Sequence, residues 1–336
     1  MRRVSIFAIF LVVVLAGLWL GGETLLARKL SQLAEQDPKL EIGAVTELRD
    51  MRQIGVHLAD LQVTTPKGAL TLPTADLWLS PVHLTTARLT LPDQATLDMG
   101  AGPLTLELSD PGASLRLRPL GGMTLGSADV TAGPMKVDGA SLADGLHVSA
   151  ELGRLGHDSP LGAMAAYDLK IGIEGFDPKR IAPEITLPGA LQFEGSGRVW
   201  LDSAPGPRTL APETRPALVG LRIDQAELTL GDLGVSINGR LEADAEGRAK
   251  GELTLATEDI GPFLQAAASA GLIPEQAVVL AGAVWQKLAT RDDVTEGGDA
   301  TPTKAKGPRL RLPVTFADGK MHLGPLPLGP APLFPR

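Results

Sequence analysis

Val235-Ser236-Ile237-Asn238-Gly239-Arg240-Leu241-Glu242-Ala243 places an apolar residue or glycine at every second position. Side chains alternate between the two faces of a strand, so a period of two reads as a strand with one apolar and one polar face. Asn238-Gly239 is by itself a hairpin signal. The phase of Val235, Ile237, Gly239, Leu241 and Ala243 nevertheless runs unbroken across it. The reading is therefore one continuous strand with its turn at Asp244 to Gly247. Just upstream, Val219, Leu221 and Ile223 fall on odd positions and Ala226, Leu228 and Leu230 on even ones. A β-bulge near Asp224–Gln225 accounts for that slip, because one extra residue inverts the phase.

The same period runs from about Glu41 to Leu255. It carries Leu70 and Leu72, Leu77 and Leu79, Leu89 and Leu91, then Leu104, Leu106 and Leu108, Leu115 and Leu117, and later Leu169, Ile171 and Ile173. Turn signals separate these runs every eight to twelve residues. Asp110-Pro111-Gly112 is the clearest, with proline and glycine placed for a type II turn. Short connections make consecutive strands antiparallel neighbours, hence a meander. Near the C-terminus Leu310, Leu312, Val314 and Phe316 alternate up to Asp318-Gly319. A type I′ turn there sets Phe316 opposite Met321 and Val314 opposite Leu323, so turn and pattern agree on register. The proline-rich tail Pro325 to Pro335 cannot continue a central strand.

The N-terminus reads differently. Met1-Arg2-Arg3 precedes an apolar run from Val4 to Leu20. As a helix of about 19 residues it would be roughly 28 Å long, close to the thickness of a bilayer's hydrocarbon core. Leucine at position 20 does not fit a cleavage site ahead of Glu23, so an uncleaved anchor is expected, with Val4, Phe7, Phe10, Leu15 and Trp19 in the membrane. Arg2 and Arg3 keep the N-terminus cytoplasmic and the bulk of the chain periplasmic, at the inner membrane. Residues 23–40 continue as a helix. Two further helices are expected near 258–270, with Gly271 as a cap, and 274–290, with Pro274 in the first turn. The expected fold is mainly β: a transmembrane helix (1–22), its helical continuation (23–40), and an exported domain (41–336). That domain is a long, curved, groove-like antiparallel meander with two late helices.

Composition excludes several functions. The chain has no cysteine, which removes thiolate metal sites, cysteine nucleophiles and disulfides. A net charge of −8 argues against nucleic acid, which requires a basic footprint. His57, His83, His147, His157 and His322 show no metal-ligand spacing, and Asp292, Asp293, Glu296 and Asp299 lack the order of an EF-hand. Gly195-Ser196-Gly197 is too short for a nucleophile elbow, and no phosphate-binding glycine loop is present. Neither an enzyme nor a cofactor is expected.

Three features carry a family resemblance: the N-terminal apolar segment, the stretch from Ile237 to Leu255, and the ending from Leu312 to Gly329. On these the chain resembles the uncharacterised alphaproteobacterial family called domain of unknown function 2125, and is similar to short AsmA-type envelope proteins. The second likeness implies a β-groove with an apolar inner face that moves or organises lipid. Many strands presenting leucine, valine and isoleucine on one side need a cover, and the expected helices are few. The expectation is therefore an apolar groove for membrane lipid, lined by Leu104, Leu106, Leu108, Leu115, Leu117, Leu228 and Leu230. The alternative is a non-enzymatic scaffold or assembly factor with a sealed core, whose partners are other envelope proteins.

Overall fold

The computed structural model describes residues 40–50, 53–65, 68–80, 83–100, 102–181, 189–206, 209, 214–231, 233–257, 265, 310–323 and 326–334. They form nineteen strands in one antiparallel sheet. In chain order these are β1 (Leu40–Asp50), β2 (Gln53–Thr65), β3 (Gly68–Ser80), β4 (His83–Thr90), β5 (Gln94–Asp98), β6 (Pro103–Leu108) and β7 (Gly112–Arg118). Then come β8 (Thr124–Ala132), β9 (Met135–Val137), β10 (Ala140–Ala143), β11 (Gly145–Gly153), β12 (Ala165–Phe176) and β13 (Leu191–Leu201). The last are β14 (Leu218–Leu230), β15 (Leu233–Ala243), β16 (Ala249–Thr257), β17 (Leu310–Ala317), β18 (Lys320–Leu323) and β19 (Leu326–Pro330).

The sheet is branched. Its main line runs β1-β2-β3-β4-β7-β8-β11 and then consecutively from β12 to β19. A side branch leaves β3, whose C-terminal part pairs with β4 while Ala69–Thr71 pairs with β5. It continues β5-β6-β9-β10. The expected meander thus holds from β11 onward and breaks earlier. At the break, Asp110-Pro111-Gly112 does not join a hairpin, because β6 and β7 pair elsewhere. The left-handed residue is Asp110 (φ 47°), and Gly112 opens β7.

The fold class needs correction. The described residues build sheet, with helical turns at Pro119–Gly121 and Pro178–Arg180. No helix among them is long and apolar enough to cross a membrane. Among the described residues the expected mixture of a transmembrane helix and two late helices with the sheet therefore gives way to an all-β architecture. The buried parts of its apolar face among these residues are packed mostly by side chains of other strands. Residues 1–39, with Val4, Phe7, Phe10, Leu15 and Trp19, lie outside the described residues, as does 274–290; within 258–270 only Gln265 is described.

The strand readings hold in detail. β15 is continuous across Asn238-Gly239, and Gly239 sits in it at φ 137°, a conformation open to glycine alone. A Cβ there would also clash with the Glu252 carbonyl oxygen. Asn-Gly is present because a kinked strand needs the glycine. The register of β14 against β15 jumps from Ile223↔Gly239 to Ala226↔Ile237, which is the bulge at 224–225. The last hairpin pairs Phe316 with Met321 and Val314 with Leu323, around Asp318 and Gly319 at φ 50° and 70°. Pro327 and Pro330 lie on β19, which pairs only with β18 among the described strands.

Cross-strand register makes the apolar face continuous. One row runs Leu89, Ala113, Val130, Val148, Ile171, Gly195, Ala226, Ile237, Leu255 and Leu312, each opposite the next. Not one polar side chain interrupts it across ten strands. Two clusters bury parts of this face. The first joins Val56, Leu58, Leu77, Leu89 and Leu115 with Ala95 of the side branch and Tyr167 of β12. The second joins Leu241, Leu312, Val314, Phe316 and Leu323 near the C-terminus.

Tyr167 supplies a check on the first cluster. Its hydroxyl donates to the Leu125 carbonyl at 2.8 Å, and burial pushes its phenol well above the ordinary value near 10. A raised phenol stabilises the fold fully below that ordinary value. As pH rises past it, the unfolded chain releases a proton that the folded chain retains, and stability falls. Tyr167→Phe is expected to cost about 1 kcal/mol at neutral pH through the lost hydrogen bond. Its stability should decline less between pH 8 and about 10.5 than that of the wild type, read by urea unfolding at both values.

Candidate functional site

Between the two clusters lies a stretch of apolar face that belongs to neither. β11 to β15 supply it: Val148, Ile171, Ile173, Phe193, Leu228 and Ile237 are half-buried there, beside the buried Leu230 and Val235. Register assembles it. Phe193 stands opposite Ile173 on one side and Leu228 on the other, and Leu228 stands opposite Val235. The bulge in β14 is what keeps Leu228 and Leu230 on this face together with Ile223. A surface of aliphatic side chains plus one phenyl ring, open to contact, can hold hydrocarbon and has no group for bond chemistry.

The sequence-derived groove residues part company here. Leu228 and Leu230 lie in this stretch. Leu115 and Leu117 are buried in the first cluster, so they pack the core. Leu104, Leu106 and Leu108 belong to β6 in the side branch, where Leu106 packs on that same cluster. Ile173, Phe193 and Val235 were visible as period-two residues but not as neighbours of Leu228, because neighbourhood across strands depends on register.

The opposite face is polar, and two cavities are lined mainly by its residues, the first also touching Ile171, Ile173 and Phe193. One, of about 820 Å³, is lined by Asp144, His147, Lys170, Glu174 and Glu194 among others. The second, of about 520 Å³, shares Lys170 and Ser196 with it and adds Arg116, Glu151 and Asp168. These are shallow depressions over strand faces, and Ser196 lies inside β13 with no elbow. Among the described residues no three His, Asp or Glu side chains converge to hold a metal. His57 Nδ1 lies 2.6 Å from Asp76 Oδ1, its cross-strand partner.

At one end of this polar face, three arginines stand opposite one another on adjacent strands: Arg198, Arg222 and Arg240. Like charges in register repel, so each has its own acceptors. Arg198 donates to both carboxylate oxygens of Asp168 at 2.7 and 3.0 Å, a pairing that raises its pKa further. Arg222 donates to Asp158 and Asp224 at 2.6 and 2.7 Å. Arg240 donates to Glu242 at 2.6 Å and to the Asp158 carbonyl. Asp158 thereby ties the connection 154–164 down onto the sheet. Trp200 lies beneath, with the Arg222 and Arg240 guanidinium groups 5.8 and 5.1 Å from its ring centre.

Comparison with known families gives a match over most of the chain. The model of the family described as "Uncharacterized protein conserved in bacteria (DUF2125)" matches residues 53–332. The chain belongs to this family. The match runs from β2 through β19, so both apolar clusters and the unclustered stretch of DUF2125 sheet lie within it. No curated protein and no solved structure matches the chain.

Proposed function

We propose that this DUF2125 chain is a non-enzymatic lipid-binding protein of the bacterial envelope, with its bulk in the periplasm. On this reading it holds acyl chains on the unclustered apolar stretch of β11 to β15. The observation that carries the reading is the row of apolar partners crossing ten strands, sealed at both ends and half-buried between them. Likeness to AsmA-type envelope proteins, read from the sequence, supports membrane lipid as the ligand and its transfer as the task. A half-buried aliphatic surface outside both clusters supports a binding site for something apolar.

The test is native mass spectrometry of the full-length chain with extraction of bound lipid. Phe193→Asp and Leu228→Asp are each expected to lower bound phospholipid by about tenfold, since each places a charge where a buried CH₂-rich contact is worth more than 1 kcal/mol. Arg116→Ser, on the polar face, should leave it unchanged. Equal losses from all three, or no bound lipid in the wild type, would sink the reading. The second reading, a scaffold docking through an edge strand, draws on β1, which pairs only with β2 among the described strands.

A further inference from the structure

Register places all the exposed large hydrophobic residues of the described chain at one end of the sheet. They are Ile54, Leu120, Leu155, Leu161, Met164 and Leu333. β7, β11, β13, β15 and β17 finish at this end, and β8, β12, β14, β16 and β18 begin there. Ile54 lies one residue from the start of β2, and Leu333 bridges to Arg248 in the turn after β15. Four of the six sit on two neighbouring connections, β7 to β8 and β11 to β12, because β8 pairs with β11.

The fold does not require these side chains. Leu120 occupies the middle of the single turn Pro119–Gly121, and its exposure is 106%. Leu161 is the corner of a turn closed by Ala163 N–H to the Pro160 carbonyl, with Gly162 at φ 85°; its exposure is 101%. A turn corner accepts nearly any residue, and a polar one there would cost nothing. Leu161 is nevertheless held outward by a rigid support. Asp158 pins the second connection to Arg222 and Arg240, and Pro160 is buried against Gly220 and Trp200.

Charge selects the occupant. In a chain of net charge −8, Arg118 at the end of β7 and Arg154 in the β11-to-β12 connection stand against one carboxylate, Asp158, which is already paired with Arg222, while the carboxylates Asp202, Asp244, Glu246 and Asp318 sit on the other turns of this end. Fully protruding leucines on separate tips, with arginines at their bases, suit a deformable apolar medium behind a layer of anions. A preformed protein pocket would have to accept each tip individually.

We infer that this end of the sheet docks on an anionic lipid bilayer, with Leu120, Leu155, Leu161 and Met164 entering the interface and Arg118 and Arg154 meeting phosphate headgroups. The inference does not depend on lipid occupying the apolar stretch of β11 to β15, and Phe193→Asp should leave its signal intact. The absence of cysteine makes the test clean. Leu161→Cys in the full-length chain takes one environment-sensitive fluorophore; Gln192→Cys, exposed at the opposite end of β13, is the reference. With vesicles of phosphatidylglycerol and phosphatidylethanolamine, the label at 161 should shift to the blue, brighten several-fold and be quenched by brominated acyl chains. The label at 192 should not. Adding Arg118→Glu and Arg154→Glu should raise the lipid needed for half the response by about tenfold. A label at 161 that stays water-like at every lipid ratio overturns the inference, as does an equal response at 192. A response to raised protein concentration without vesicles also overturns it, and assigns this end to contact between copies of the chain.

Discussion

Trp200→Ala should destabilise the protein by about 3–5 kcal/mol, read as a lowered midpoint in urea with unchanged slope. Trp200 is 0% exposed although it points to the polar face of the sheet. Its burial is made by what lies around it: Pro160 of the connection 154–164, Gly220 on the next strand, and the Arg222 and Arg240 guanidinium groups. Gly220 is part of that fit, since a Cβ there would meet Pro160 Cγ at 2.5 Å and the Trp200 ring at 3.1 Å. Alanine leaves a cavity under the connection and removes the ring face from two cations. Trp200→Phe separates these effects. It keeps an aromatic face and removes an indole N–H that is buried without a hydrogen-bond partner among the described residues. That variant should cost clearly less than alanine, because it leaves a smaller cavity and removes the unpaired N–H. A loss as large as that of alanine would mean that ring size alone holds the site.

Leu58→Ala is expected to cost about 2–5 kcal/mol, and Leu228→Ala about 1 kcal/mol, in the same urea measurement. Both leucines lie on the apolar face. Leu58 is 0% exposed within the first cluster, so its removal leaves a cavity that the surrounding strands fill only in part. Leu228 is half-buried outside both clusters, and truncating it forfeits fewer contacts and opens no enclosed void. The comparison bears directly on function. If Leu228→Ala cost as much as Leu58→Ala, the stretch between the clusters would be core, and a lipid site there would be lost.

Several local features were legible in the residues alone. Alternation identified the strands, because a strand's side chains must point to opposite faces. The odd-to-even slip between Ile223 and Ala226 located the bulge, and Asp318-Gly319 set the register of the last hairpin. Other features misled. Asp110-Pro111-Gly112 has turn residues, yet the strands flanking it are not partners. Leu104, Leu106 and Leu108 alternate as well as Leu228 and Leu230, yet one set belongs to a side branch and the other to the unclustered face. The apolar tips at Leu120 and Leu161 carried no periodic signal at all. A single leucine in a glycine-rich turn becomes informative only when other turns bring similar residues to the same end.

Strand class, the phase of the alternating runs, the bulge and the final hairpin follow from the order of residues alone, because these depend on backbone geometry over a few neighbouring residues. Which strands pair, where the sheet branches at β3, and which part of a continuous apolar face is sealed emerge only in the folded chain. Those outcomes depend on contacts between residues far apart in the chain. Period-two alternation is the same whichever strand lies alongside, so it cannot select the partner; packing of whole strands does.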